Sequence, residues 1–275
     1  CGRFAFGLVI ERSTAVVVKE CTIAGGTKQW SPTAFCGGIF AMYSHDVTLE
    51  ANTLSGNGLI RPGVLSYDIQ VNGFGTNTSS HNIRIIGNQC RSIATQCCVG
   101  AYDMQQSEIS ANICSGAKTG PNNNNGYGIM IYSTAGSPGS CFENTIAQNQ
   151  VSNTEGSGIY LVQSNQPRVI ENSIEKVATV QEDHTLPVAG VALNQSQHVT
   201  IVGNCITRVG RAGISMADCE ANHSRALASA LSTVLRRPPQ PAGMRPMKTR
   251  RLAYWWFRLV ASGRFLEKFL QPRRS

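Results

Sequence analysis

Three tyrosines, Tyr102, Tyr132 and Tyr160, occupy similar positions in successive repeats of this sequence. The ring of a tyrosine can stack on a sugar ring, and its hydroxyl can hydrogen-bond to sugar hydroxyls. Aromatic residues also favour strands and pack on neighbouring loops without any ligand. The sequence therefore indicates either a binding surface or a packing role for these rings, and both interpretations stay open.

Carboxylate side chains are poorly placed for glycoside hydrolysis, which usually needs two of them about 5–9.5 Å apart. Asp68 precedes one predicted strand and Asp103 follows the next one, an offset of roughly 16 Å at the rise of a strand. A hydrolase would have to recruit a loop acid such as Glu155, Glu182 or Asp183. Hydrolysis by strand-borne acids is therefore not expected.

Cysteine and histidine spacing does not indicate a metal site. The ten cysteines form no CxxC pair and match no zinc-finger signature, so reduced and buried thiols are expected. His45, His81 and His198 share one register, just before an apolar residue, but His198 lies far along the chain from the other two. These histidines are interpreted as turn residues.

One short pattern recurs through the chain: an apolar residue, two further residues, Asn, one residue and a second apolar residue. The asparagines are Asn52, Asn88, Asn112, Asn149, Asn172 and Asn204, and Cys21 takes their place in a variant copy. Asn tolerates the left-handed backbone region and can bond to nearby backbone groups, so each copy predicts a sharp bend between two short strands. In stacked coils these asparagines would form a ladder along one edge.

A second pattern, a small residue followed by alternating apolar positions, falls between the asparagine copies. Its first apolar residues are Leu8, Ile39, Ile69, Val99, Ile129, Ile159, Val191 and Ile214, spaced by 30 to 32 residues except for a last step of 23. Self-similarity at this period is typical of a solenoid, and alternation without a helical pattern indicates strands. The alternating apolar residues are predicted to point inward, and Cys90 and Cys114 to share an inward column with Leu54 and Val151.

These repeats resemble those of the right-handed parallel β-helix proteins of the pectate lyase-like superfamily, which also includes phage tailspikes and surface glycan enzymes. The resemblance covers roughly residues 7–216. It implies an all-β fold, a right-handed single-stranded parallel β-helix of about seven coils within residues 1–220. Gly7 already lies in the first coil, so a longer β-helix is expected upstream of Cys1. An extracellular, cell-surface or periplasmic location is expected for such a protein.

In this superfamily the substrate groove usually runs along the outward face of the first strand of each coil. Carried over by position, the resemblance implies substrate-binding roles for Phe40, Gln70, Asn72, Tyr160 and Asn194, and catalytic roles for Tyr102, Tyr132 and Asp103. Loops rich in Gly, Asn, Ser and Thr would wall the groove. They are residues 24–37, 56–66, 73–81, 115–127 and 177–189.

If the protein is an enzyme, the resemblance favours a polysaccharide lyase over a glycoside hydrolase, with Tyr102 or Tyr132 as the base in elimination on a uronate. Lys118, Arg168 or a calcium ion held by Asp103 and loop oxygens would neutralise the substrate carboxylate. The motifs of β-helical polygalacturonases and alginate epimerases are absent from the sequence. The alternative to a polysaccharide-binding or polysaccharide-cleaving protein is a structural or adhesive solenoid, such as a phage tail fibre or surface protein.

Charge separates the repeats from the C-terminal tail. Residues 1–220 contain 12 Lys/Arg and 15 Asp/Glu, whereas residues 221–275 contain 12 and 1. The repeats therefore carry no positive excess that would attract nucleic acid. Residues 221–275 are predicted to be partly helical or disordered. Their basic and apolar residues fit an interfacial membrane helix or a site for an anionic partner. The alternative is that this segment is the product of a shifted reading frame.

Overall fold

The described part of the chain folds into stacked coils of short parallel strands. The computed structural model describes residues 5–26, 35–58, 65–73, 80–91, 97–118, 126–134, 140–178 and 188–219. All of them lie in one of the two compact units into which the chain divides, Cys1–Thr233. Residues 221–275, and with them the predictions for the tail, lie outside the described residues.

Three parallel sheets run along the stack, and every coil passes through them in the same order. Sheet 1 has the longest strands: β1 (Phe6–Glu11), β4 (Phe35–Met42), β7 (Leu65–Asn72), β11 (Cys97–Tyr102), β15 (Tyr127–Tyr132), β18 (Ile159–Val162), β21 (Ala189–Asn194) and β24 (Ala212–Ala217). Sheet 2 contains β2 (Val17–Lys19), β5 (Thr48–Glu50), β9 (Arg84–Ile86), β13 (Glu108–Ser110), β16 (Thr145–Ala147), β19 (Arg168–Ile170) and β22 (Thr200–Val202).

Sheet 3 completes each coil, and a short bridging pair of strands occurs in two neighbouring coils. Sheet 3 contains β3 (Thr22–Ala24), β6 (Thr53–Ser55), β10 (Gln89–Cys90), β14 (Ile113–Ser115), β17 (Gln150–Ser152), β20 (Ser173–Glu175) and β23 (Cys205–Thr207). The pair β8 (Ser80–His81) and β12 (Met104–Gln105) lies between sheets 1 and 2. The described part of the chain is thus built of parallel strands without a helix, as the sequence predicted.

One continuous apolar core fills the interior between the three sheets. Each coil supplies aliphatic residues to it, and the inward residues Ile69 and Val71 of sheet 1 are fully buried. Cys90 pairs in register with Leu54 on one side and with Cys114 on the other. Cys114 in turn pairs with Val151. The predicted inward column is therefore confirmed, and its two thiols are free and buried.

The repeated asparagines form one ladder between sheets 2 and 3, as predicted. The Asn112 side-chain amide donates to Asn149 Oδ1 at 3.0 Å and to the Ile85 carbonyl at 2.8 Å. Its own Oδ1 accepts from the backbone N and side-chain Nδ2 of Asn88 at 2.9 and 3.0 Å. The same bonds recur from Asn52 to Asn204, so each bend is tied to its neighbours.

The prediction that these asparagines adopt the left-handed backbone conformation is wrong. The left-handed residue at each bend is the one before the asparagine: Ala51, Gly87, Ala111, Gln148, Glu171 and Gly203, with φ between 53° and 70°. The ladder asparagines themselves are not among the residues with positive φ. Their role is to satisfy buried backbone groups through their side chains, rather than to adopt the strained conformation.

Candidate functional site

The outward side chains of sheet 1 form two columns that follow the register of its strands. The first column contains Phe40, Gln70, Gly100, Met130, Tyr160 and Ala192. The second contains Met42, Asn72, Tyr102, Tyr132, Val162 and Asn194. These two columns are called the outward row here, and seven of the eight predicted site residues lie in it.

Most of the outward row is covered, which differs from the expectation of an open groove. Phe40, Gln70, Asn72 and Tyr160 are buried. Tyr102 and Asn194 are partly exposed, and Tyr132 is 37% exposed. The predicted loops around this sheet fall largely outside the described residues. Tyr132 is therefore the most exposed side chain of the outward row.

Tyr67 is a member of the site that the sequence analysis missed. Its hydroxyl lies 2.5 Å from the Tyr102 hydroxyl, and the two rings meet edge to face with centroids 6.2 Å apart. Gly100 makes room for it, because a Cβ there would lie 2.5 Å from Tyr67 Cε1. A hydrogen bond of this kind fixes the orientation of Tyr102.

Strict alternation hid Tyr67 because the alternation of inward and outward side chains breaks within β7 and within β11. In β11, Cys98 and Val99 both join the interior core, whereas Cys97 packs on the outer side with Tyr67. Counting back by twos from Ile69 would have placed Tyr67 inside. The signal available in the sequence was the pair Tyr67 and Tyr127, which occupy the same position of their strands.

Tyr102 does not suit the role of a general base. Burial raises the pKa of its phenol, which the hydrogen bond to Tyr67 only partly offsets. A phenol with a raised pKa stays protonated near neutral pH, so it interacts as a neutral hydrogen-bonding group and does not abstract a proton. The arrangement therefore makes Tyr102 a rigid hydrogen-bonding phenol.

Base titration is expected to show Tyr67, Tyr102, Tyr127 and Tyr160 ionising only as the fold is lost. Burial raises the pKa of each in the folded state above the ordinary 10.0. The unfolded chain therefore releases these protons first, and stability falls as the pH rises past 10.0. The tyrosinate absorbance of these four residues should rise in the same step in which the circular dichroism of the fold is lost. A Tyr102→Phe variant should lose one tyrosinate from that step, and ionisation of Tyr102 ahead of unfolding would contradict the assignment.

Asp103 lies in the turn directly after β11 and is buried. Its Oδ1 accepts from the backbone N of Thr134 at 2.9 Å, and its Oδ2 accepts from the Thr134 hydroxyl. These contacts tie two successive coils together. These bonds give Asp103 a structural role, and its catalytic and calcium-binding roles stay predictions.

Asp68 and Asp103 do not form a hydrolytic pair. Asp68 lies within β7, not before it, in register with Cys98. It is buried, and its Oδ1 accepts from Asn57 Nδ2 at 3.2 Å. Asp103 follows five positions beyond that register.

The cations proposed for neutralising a substrate carboxylate lie elsewhere. Lys118 forms an ion pair with Glu155, with 2.9 Å between Nζ and Oε1. Arg168 belongs to β19 in sheet 2, away from the outward row. Glu182 and Asp183 lie outside the described residues. No lysine or arginine is found in the outward row, so the row as described offers no cation to a carboxylate.

Two buried amides in the outward row are only half satisfied. Gln70 Nε2 donates to Asn72 Oδ1 at 3.2 Å. Within the described part of the chain, Gln70 Oε1 and Asn72 Nδ2 have no hydrogen-bond partner, although both residues are 0% exposed. Unpaired buried polar atoms each cost about 1–3 kcal/mol and call for an explanation.

The described ranges of the chain contain neither a cluster of metal-ligating side chains nor a membrane-spanning helix. No group of three or more His, Cys, Asp or Glu side chains there could hold a metal ion. No helix within those ranges has the length and hydropathy to cross a membrane. His45 and His81 stack in adjacent coils with ring centroids 4.1 Å apart. His198 instead lies 3.4 Å from Asn165 Oδ1, so the three histidines do not form one cluster.

The fold and the outward row define a parallel β-solenoid with a polar and aromatic face. Residues 69–226 match the family described as "Right handed beta helix region". The match covers more than half of the chain, which therefore belongs to this family. No curated protein matches the chain in sequence.

Solved structures with the same fold include DFA-IIIase from Arthrobacter chlorophenolicus A6 in complex with GF2. It is 12% identical with a TM-score of 0.54, over 88% of this chain and 57% of that one. The same enzyme without its lid gives 12% identity and a TM-score of 0.52, over 82% and 56%. The chain thus spans little more than half the length of these structures. The mannuronan C-5 epimerase AlgE6 A-module from Azotobacter vinelandii gives 14% identity and a TM-score of 0.35, over 86% and 76%.

Proposed function

We propose that this β-helix binds polysaccharide at the exposed part of the outward row, around Tyr132 and Tyr102. The observation that carries the proposal is the adjacent pair of tyrosines, whose ring centroids lie 5.9 Å apart on neighbouring strands. Tyr132 is accessible, and Tyr102 is held by its bond to Tyr67. Preformed aromatic surfaces of this kind bind sugar rings at little entropic cost.

Cleavage is the less supported part of the proposal. Asp68 and Asp103 are each engaged with other partners, and the environment of Tyr102 keeps its phenol protonated. A lyase would depend on Tyr132 as base and on a cation from outside the described row. Binding without cleavage therefore fits the described chemistry better.

A rigid structural or adhesive rod is the second candidate. The burial of Phe40, Gln70 and Tyr160 favours it, because these side chains then serve packing instead of an open groove. The fully parallel, in-register stack would supply the stiffness that such a rod needs.

A Tyr132→Ala variant is expected to bind its glycan about tenfold more weakly than the parent, a loss of ~1.4 kcal/mol. The truncation removes an exposed ring with little effect on the buried core. Neutral and acidic oligosaccharides on an array would first identify the ligand, and calorimetry would then measure both affinities. Val17→Ala is the matched control, because Val17 is an exposed apolar residue in sheet 2. Binding unaffected by Tyr132→Ala would contradict the proposed surface, and a parent that binds no glycan would favour the rod.

A further inference from the structure

The amides of Gln70 and Asn72 form a polar pair with one donor and one acceptor left over. The two residues are two positions apart on β7 and point to the same outward side. One hydrogen bond of 3.2 Å joins them, from Gln70 Nε2 to Asn72 Oδ1. Gln70 Oε1 remains as a free acceptor and Asn72 Nδ2 as a free donor.

This balance does not depend on which way either amide is turned. Exchanging the nitrogen and oxygen of both side chains would reverse the bond between them. Asn72 would then donate to Gln70, leaving a free Gln70 nitrogen and a free Asn72 oxygen. One donor and one acceptor would still be unpaired, so the complementary ligand group is the same in both cases.

We propose that Gln70 and Asn72 form a subsite for a hydroxyl group of a neutral sugar. A hydroxyl can accept from the free amide nitrogen and donate to the free amide oxygen. A carboxylate can only accept, and an ammonium can only donate, so either would leave one buried atom unpaired. The inference rests on the proposed carbohydrate binding and specifies its substrate class as neutral rather than uronate.

The neighbours of the pair support this assignment. Asn72 is in register with Tyr102, and Gln70 is in register with Gly100, over which the Tyr67 ring lies. The subsite is therefore continuous with the tyrosine pair of the proposed surface. No lysine or arginine accompanies it in the outward row, which is consistent with a ligand that carries no charge. Tyr102 is partly exposed and lies beside Asn72, so it marks the side from which a ligand would enter.

The test is a double variant, Gln70→Leu with Asn72→Leu, compared with the parent in thermal melting and in glycan binding. Replacing both members of a half-satisfied polar pair by apolar groups of similar size can leave stability unchanged or raise it. The expected result is a melting temperature that does not fall and an affinity for neutral oligosaccharides lower by about tenfold to a hundredfold. The matched control is Gln163→Leu with Gln195→Leu, an exposed amide pair joined at 2.8 Å outside the row.

Each outcome separates the subsite from the proposed function. If the parent and the double variant bind neutral glycans equally well, the proposed subsite is overturned. Carbohydrate binding by the protein would still stand in that case. A parent that binds only uronate glycans would overturn the neutral-sugar assignment alone. A parent that binds no glycan on the array would overturn both. A lower melting temperature with unchanged affinity would assign the pair to the fold.

Discussion

An Asn112→Leu variant is expected to lose about 3–5 kcal/mol of unfolding free energy. Asn112 is fully buried in the middle of the ladder. Its removal leaves the backbone N and the side-chain Nδ2 of Asn88 without their shared acceptor. It also leaves the Ile85 carbonyl without its donor. Asn149 Oδ1 loses the bond from the Asn112 amide as well, so four buried polar groups lose a partner at once, and leucine cannot replace any of the bonds.

Denaturant unfolding followed by circular dichroism measures this loss, with Asn204→Leu as the control. Asn204 holds the same position at the last described rung of the ladder, where it is only partly buried. Water can reach the groups it leaves behind, so its replacement is expected to cost less than half as much. Equal losses at the two positions would show that the ladder does not act through buried hydrogen bonds.

The ladder matters for function because it sets the register of the outward row. Each rung fixes the bend between sheets 2 and 3, and the coil then returns to sheet 1 in a defined phase. Tyr102 and Tyr132 face each other in register only because their coils are stacked without a slip. A slip of one residue in a strand would turn every side chain to the opposite face.

The stacking of the coils could be predicted from the sequence because the residues that produce it recur in successive repeats. The spacing of Asn88, Asn112 and Asn149 marks the bends, and the apolar pairs between them mark the inward faces. Register between neighbouring coils then follows by aligning copies, which placed Tyr102 beside Tyr132 and Cys90 beside Cys114. No knowledge of tertiary packing was needed for these assignments.

The burial of the outward row could not be predicted in the same way. Alternation states which side of a sheet Gln70 and Asn72 face, but not what covers that side. The role of Tyr67 was hidden by the break in alternation at Asp68, and the free atoms of the amide pair depend on side-chain hydrogen bonds. Each of these features arises from contacts between residues that carry no repeated signal.

Glycine in the inward column of sheet 1 sets how closely the strands approach sheet 3. At Gly128 a Cβ would lie 2.2 Å from Val151 Cγ1 and 2.6 Å from the backbone oxygen of Gly158. Val151 belongs to β17 of sheet 3, and Gly158 precedes β18 in the next coil. Neither contact can be relieved by rotating a long side chain.

A Gly128→Ala variant is therefore expected to lose about 3 kcal/mol of unfolding free energy or more, because overpacking at a rigid site displaces backbone. Gly213→Ala is the matched control. Gly213 holds the equivalent position in β24, where nothing lies within 4 Å of the added Cβ, so the change is expected to be neutral or to stabilise by about 0.5 kcal/mol. Denaturant midpoints of the two variants measure the difference. Equal effects would mean that alanine is disfavoured by the strand itself. A loss confined to Gly128 would show that close approach to Val151 and Gly158 sets the spacing between sheets 1 and 3. The tyrosine pair on sheet 1 depends on that spacing.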